Sequence, residues 1–282
     1  MTICYTIESF NKALSSLPTN CKVGFVPTMG ALHQGHISLV QKAKEFTNQV
    51  VVSIFVNPNQ FNNSNDLANY PRTIQEDCKK LEAEKVSIVF IPSVEEIYPK
   101  KDNRTFDLAG LDSTGEGPSR PGHFNGVVQV VSRLFNIVKP SFAFFGEKDF
   151  QQLAIIKHIT KELNYPVEIV ACPTKREKDG VAMSSRNMLL TPQQRAATPI
   201  IYQSLAKAAE MVSAQNLFSP RELSIWVTSQ INKEPLLTTE YVQIVDSNSL
   251  QPIESWEQHN NIQLCTAVKA GSVRLIDNIK LK

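Results

Sequence analysis

Short apolar runs alternate with segments of helical periodicity over roughly the first 170 residues. "KVGFVP" (22–27) reads as a buried strand. "HISLVQKAKEF" (36–46) sets Ile37, Val40 and Ala43 along one stripe, with Leu39 and Phe46 alongside, which predicts an amphipathic helix. "VVVSIFV" (50–56) is continuous, apolar and β-branched, like a strand covered on both faces. Thr73 and Glu76 have the spacing of a capping box and predict a helix to about Lys85. "VSIVFIP" (86–92) predicts a strand, "GVVQVVSRLFNIVK" (126–139) a helix, and "SFAFFG" (141–146) a strand. "FQQLAIIKHITKEL" (150–163) then predicts a helix and "VEIVAC" (167–172) a strand.

This alternation predicts an α/β fold, a doubly wound parallel sheet with helices on both faces. Ligands of such sheets bind beyond the carboxyl ends of the strands, here at loops near Pro27, Asn57, Gly146 and Pro173. After about Lys175 the pattern changes. Helical segments (193–214, 220–232) precede strand patterns at 240–246, 262–268 and 273–277. A second, smaller α+β domain is expected at 175–282, after a first at 1–174. The polar or Gly/Pro-rich stretches 62–70 and 112–123 are read as flaps.

Composition narrows the function classes. With 42% hydrophobic and 20% charged residues, the 282-residue chain can bury a sizeable core. Lys and Arg number 29 against 27 Asp and Glu, a net charge of +2, which gives no case for nucleic acid as partner. The five cysteines are scattered and form no CxxC pair, so a reducing compartment fits better than a disulfide framework. "MTICYTIESFNKAL" lacks a basic start followed by a long apolar run, and no stretch approaches a membrane span. A soluble cytoplasmic protein is expected.

Four clusters carry candidate chemistry. In "PTMGALHQGH" (27–36), His33 and His36 stand three apart with Gly35 between them. That spacing, with no cysteine near, fits zinc poorly. A strand-to-helix turn leaves N–H groups pointing at an anion, and glycines let the backbone approach it closely. Taken alone, the pair fits this phosphate site and a plain exposed turn equally. In "FFGEKDFQQL" (144–153), Lys148 can meet phosphate as a point charge and Asp149 can accept from ribose hydroxyls, and of Gln151 and Gln152 only one can face a cleft. "VAMSSRNMLL" (181–190) puts two hydroxyls and a guanidinium in succession, which serves a phosphate or caps a helix. "SIFVNPNQFNN" (53–63) sets the amides of Asn57 and Gln60 after a strand. Each is weak alone. Their shared position at strand ends, and their shared chemistry, favour nucleotide and phosphate binding.

"PTMGALHQGH", "FVNPNQF" (55–61), "YPRT" (70–73), "EGPSRPGHFNGV" (116–127), "GEKDFQQ" (146–152) and "AMSSRN" (182–187) together resemble the pantothenate synthetase, or pantoate–β-alanine ligase, family. The resemblance implies a Rossmann-like first domain, a smaller C-terminal lid domain and a homodimer. It implies ATP-dependent joining of pantoate and β-alanine through a pantoyl adenylate, with Mg²⁺ accompanying ATP and no dedicated protein metal site. Met29, Gly30, Ala31, Leu32, His33, Gln34, Gly35 and His36 would line the ATP site. Gly146, Glu147, Lys148, Asp149, Lys175, Met183, Ser184, Ser185 and Arg186 would also bind ATP. His36, His33 and Lys148 would be catalytic. Gln60 and Gln152 would hold pantoate, with Asn57 beside them.

Overall fold

The structure, a computed structural model, describes residues 1–214 and 218–282. In chain order its elements are β1 (Thr2–Cys4), α1 (Ile7–Ser15), β2 (Val23–Thr28), α2 (Gln34–Phe46), β3 (Gln49–Ile54), α3 (Ser64–Asn69), α4 (Ile74–Ala83) and β4 (Ile88–Phe90). Then come α5 (Val94–Ile97), α6 (Glu116–Ser119), α7 (His123–Val138), β5 (Phe142–Gly146), α8 (Phe150–Glu162) and β6 (Glu168–Cys172). The remainder holds α9 (Pro192–Ala197), α10 (Pro199–Ser213), α11 (Pro220–Ile231), β7 (Leu237–Asp246), β8 (Ile262–Ala270) and β9 (Val273–Lys280).

The chain divides into two compact units. The first comprises Met1–Leu108, Arg120–Glu147 and Gln152–Pro173; the second comprises Ala109–Ser119, Lys148–Gln151 and Thr174–Lys282. The first contains a six-stranded sheet in the order β1-β4-β3-β2-β5-β6, and its strand pairs are parallel. Strand alternation divides the core in two. Phe25, Val51, Ile88, Phe90, Ala143 and Phe145 pack on one face with residues of α1, α7 and α8. Val26, Val50, Val52, Val89 and Phe144 pack on the other with Ile37, Val40 and Ala43 of α2 and Leu81 of α4. This is the doubly wound α/β arrangement that the continuous apolar runs predict.

The second unit contains an antiparallel sheet, β7-β8-β9. Ile201, Leu205 and Ala208 of α10 and Leu223, Val227 and Ile231 of α11 pack on Ile244, Leu264, Val268 and Leu275. The helical pattern at 193–214 is interrupted at Thr198, where Pro199 starts a new helix as its first residue. The capping box expected at Thr73 is absent: Thr73 is the N-cap of α4 but makes no side-chain cap bond. Its hydroxyl donates to Asp77 Oδ1 at 3.1 Å instead. Among the described residues no helix is long and apolar enough to cross a membrane.

Candidate active site

In the first unit, β2 lies between β3 and β5. The chain leaves β2 through α2 toward β3, and leaves β5 through α8 toward β6. The two connections diverge, which opens the crevice at the carboxyl ends of β2 and β5 where open α/β sheets bind ligands. Met29–His33 follow β2, and Gly146 ends β5.

The turn after β2 is tightly held. Gly30 has φ +84°, in the region that favours glycine, and a side chain there would come within 3.0 Å of Ile54 Cγ2. Ala31, at φ +50°, follows it in the same region. The surroundings sustain this uncommon backbone. Asp77, fully buried, accepts from Ala31 N at 2.9 Å and from Leu32 N at 2.8 Å. Lys80 Nζ donates to Leu32 O at 2.6 Å.

The histidines then cap α2 reciprocally. His33 is the N-cap, and its Nδ1 accepts from Gly35 N at 3.1 Å. His36 Nδ1 accepts from His33 N at 3.3 Å. The rings stack at 4.1 Å between centroids, tilted 41°. Because each Nδ1 is an acceptor, the ring proton sits on Nε2. Both imidazoles are thus N–H donors at a helix N-terminus that carries about half a positive charge.

Asn57 and Gln60 follow β3. Asn57 is 1% exposed. Its Nδ2 donates to Gln60 Oε1 at 3.1 Å and Gly126 O at 3.0 Å, and its Oδ1 accepts from the Tyr98 hydroxyl at 2.9 Å. Asn57 therefore orients Gln60. Gln60 Nε2 donates to Met29 Sδ at 2.9 Å, and the ring Nδ1 of His123 lies 2.7 Å from Gln60 O. At Gly126, α7 passes so close that a side chain would meet Asn59 O at 2.2 Å. Gln152, on α8, is half-buried, and among the described residues its amide has no hydrogen-bond partner. Glu147 also lies in this unit. Buried Cys172 has its thiol pushed up to about 11 by burial, which suits a packing residue and not a nucleophile.

The second unit holds the other predicted ATP residues. Lys148 Nζ lies 3.4 Å from Asp149 Oδ1, and Lys148 O accepts from Asn278 Nδ2 at 2.9 Å. Met183 N donates to Lys175 O at 3.0 Å, closing a hairpin. Ser184 caps the short 3₁₀ turn Ser185–Leu189, its Oγ accepting from Arg186 N at 3.3 Å, which leaves the hydroxyl proton to donate. Gln151 has both ends of its amide engaged. Its Oε1 accepts from Glu116 N at 2.9 Å, and its Nε2 donates to Leu111 O and Thr114 O. The segment 112–123, read from sequence as a flap, contains a buried anchor. Glu116 accepts from Arg274 through both carboxylate oxygens, at 2.5 and 2.8 Å, and from the Tyr241 hydroxyl at 2.8 Å.

Sequence reasoning missed Asp77, Tyr98 and His123. All three act on backbone or on another side chain. The "YPRT" match (70–73) ends four residues before Asp77 and the "EGPSRPGHFNGV" match (116–127) contains His123, which is the signal the sequence offers for these two.

The comparisons with known proteins cover the whole chain. A family model described as pantoate-beta-alanine ligase matches residues 2–280. A pantothenate synthetase of Bacteroides fragilis (strain YCH46) is 48% identical over 283 residues, spanning 100% of this chain and 99% of that protein. The crystal structure of a pantothenate synthetase from Thermus thermophilus superposes with a TM-score of 0.92 at 37% identity, covering 100% of this chain and 99% of that one. A pantoate-beta-alanine ligase from Francisella tularensis, complexed with beta-gamma ATP and beta-alanine, gives 0.80 at 38% identity, covering 100% and 98%.

Proposed function

The chain belongs to the pantoate–β-alanine ligase family, and from that premise we propose that it joins (R)-pantoate to β-alanine through a pantoyl adenylate, releasing pyrophosphate and AMP. In the first step a pantoate carboxylate oxygen attacks the α-phosphorus of ATP, and the bond to the β-phosphate breaks. In the second the neutral β-alanine amine attacks the acyl carbon, AMP departs with the bridging oxygen, and a proton is lost from nitrogen.

The attacking carboxylate, with a pKa near 4, is already ionised at neutral pH and needs no general base. The obstacle is one anion approaching another, so preorganised donors are the main requirement. The observation that carries the reading is the reciprocal histidine cap at the sheet's switch point, which directs imidazole N–H donors and a helix N-terminus to one turn. We assign Met29 to His36 to ATP, with His36 the principal donor and His33 the second. By family relationship Gly146, Glu147, Lys148, Asp149, Lys175, Met183, Ser184, Ser185 and Arg186 also serve ATP. Lys148 serves there as a cation on phosphate.

Gln60 and Gln152 take pantoate, and Asn57 contributes by orienting Gln60. The Gln60 amide now rests on a thioether, a weak acceptor that a substrate oxygen can replace. Holding pantoate in line with the α-phosphate can lower the barrier by up to roughly 7–11 kcal/mol. Mg²⁺ would enter with ATP, held by its phosphates and water, and would neutralise charge on the departing pyrophosphate. Among the described residues no trio of His, Cys, Asp or Glu gathers as a cage for it.

We assign 1–174 as the ATP- and pantoate-binding domain and 175–282 as a lid domain, in a cytoplasmic homodimer that uses neither nucleic acid nor membrane. The test is isotopic. Pantoate labelled with ¹⁸O in its carboxylate yields AMP carrying one ¹⁸O atom if the adenylate forms. Unlabelled AMP, or ADP as product, contradicts the scheme.

A further inference from the structure

Two consecutive residues of β9, Asp277 and Asn278, each hold a different stretch that the sequence singled out for ATP. Alternation puts their side chains on opposite faces of the strand. Asp277 is buried and binds the Arg176 guanidinium with both oxygens, Nη1 at 2.7 Å and Nη2 at 2.9 Å. The same guanidinium donates to Gly180 O at 3.1 Å and Asn278 O at 3.2 Å, and sits 3.9 Å from the centroid of the Tyr202 ring. Arg176 pairs with Ala182 across the hairpin, so this fork anchors the strands that carry Lys175 and Met183.

On the opposite face, Asn278 Nδ2 donates to Lys148 O at 2.9 Å, while its Oδ1 accepts from Gln263 Nε2 at 2.7 Å. Asn278 and Gln263 are 6% and 7% exposed. The amide is therefore fixed at both ends, away from water. We propose that Asn278 is a positioning residue for the ligase reaction: it fixes the main chain of Lys148, the root from which the ammonium reaches phosphate, while the adjoining Asp277–Arg176 pair fixes the 175–183 hairpin. The inference rests on the reading of Lys148 as a phosphate cation. A lysine stem has four rotatable bonds, so the place of its charge depends on where its backbone starts. Displacements of about 1 Å at a reacting group can reduce rates by roughly a hundredfold.

A double-mutant cycle on the full chain tests this. Pyrophosphate release from ATP and pantoate is measured for Lys148→Ala, Asn278→Leu and the double variant. Asn278→Ala, which adds no bulk, runs through the same cycle, so that a folding failure of Asn278→Leu does not decide the outcome. The expected result is a loss of about tenfold for either Asn278 variant, and a double variant within about twofold of Lys148→Ala alone, the non-additivity of residues acting through one group. The KM for β-alanine is expected to move less than about twofold, since the lost contact serves phosphate and not the amine. If the losses multiply, or if the β-alanine KM rises with the loss of rate, the positioning role is overturned. Full activity of Lys148→Ala would instead overturn the reading of Lys148 itself.

Discussion

Asp77 accepts the backbone N–H of Leu32 at 2.8 Å, across 45 residues of chain. With the matching bond from Ala31, one buried carboxylate holds a turn whose residues Gly30 and Ala31 both have positive φ. Asp77→Ala leaves those two N–H groups buried without their acceptor. Stability is expected to fall by about 2–4 kcal/mol in urea unfolding, and pyrophosphate release to fall further than lost stability explains, because the loosened turn carries the histidines.

His33 is both a helix cap and a proposed phosphate donor, and the two roles separate by substitution. His33→Ala removes the acceptor for Gly35 N and is expected to lose about 1 kcal/mol of stability. His33→Asn keeps a cap acceptor and should retain most of it. Both variants should slow the adenylation step in single-turnover measurements. Normal pyrophosphate release by His33→Asn would reduce His33 to a cap.

His36→Ala should lower the adenylation rate more than either His33 variant. Its imidazole is the proposed principal donor, and removing one preorganised donor typically reduces kcat by about a hundred- to a thousandfold. A normal rate of pyrophosphate release in single turnover would contradict that role.

Gln151 and Gln152 are adjacent yet differ in employment. Gln152→Ala is expected to weaken pantoate binding while ATP binding moves little, as read by separate titrations. Gln151→Ala removes the contacts to Leu111, Thr114 and Glu116 and is expected to act on stability. Equal losses for pantoate and ATP in Gln152→Ala would refute its assignment.

The Arg104 guanidinium, with Arg133 beside it, holds the Asp102 carboxyl far below the usual carboxylate range. The folded pKa is depressed, so the stabilisation is present above the unfolded value near 4 and is lost as pH falls toward the folded one. Asp102→Asn should destabilise by about 1–3 kcal/mol at pH 7. The gap from the unsubstituted chain should then close as unfolding is followed below about pH 4. A gap that stays constant with pH would show that the carboxylate charge is not its source.

Most of the sheet and the longer helices from α2 onward are legible where burial is periodic, but α1 is not among the elements expected from the sequence although Phe10 and Ala13 bury one of its faces. The run 22–27 and the stripe at Ile37, Val40 and Ala43 led directly to β2 and α2. β1 was not legible, because three residues, two of them exposed, carry no period. The expected strand at 273–277 stops short of the end of β9 because the polar Asn278 breaks the pattern after Asp277. Both are buried, and their partners lie 101 and 130 residues away. Asp77 looks like an ordinary surface charge on a helix until the turn before α2 folds against it. Asn57 was correctly set after a strand, but its engagement with Tyr98 and Gly126 depends on contacts no local pattern records. Glu116 sits in a Gly/Pro-rich stretch that reads as open loop, and Arg274, 158 residues on, buries it.

In the proposed scheme pantoate is adenylated before β-alanine takes part. The most direct test is a single-turnover measurement with enzyme in excess over ATP, with pantoate and Mg²⁺ present and β-alanine withheld. Pyrophosphate is expected in amounts matching the ATP supplied, with AMP freed at the catalytic rate only once β-alanine is added. Pyrophosphate that appears only after β-alanine is added would contradict the scheme.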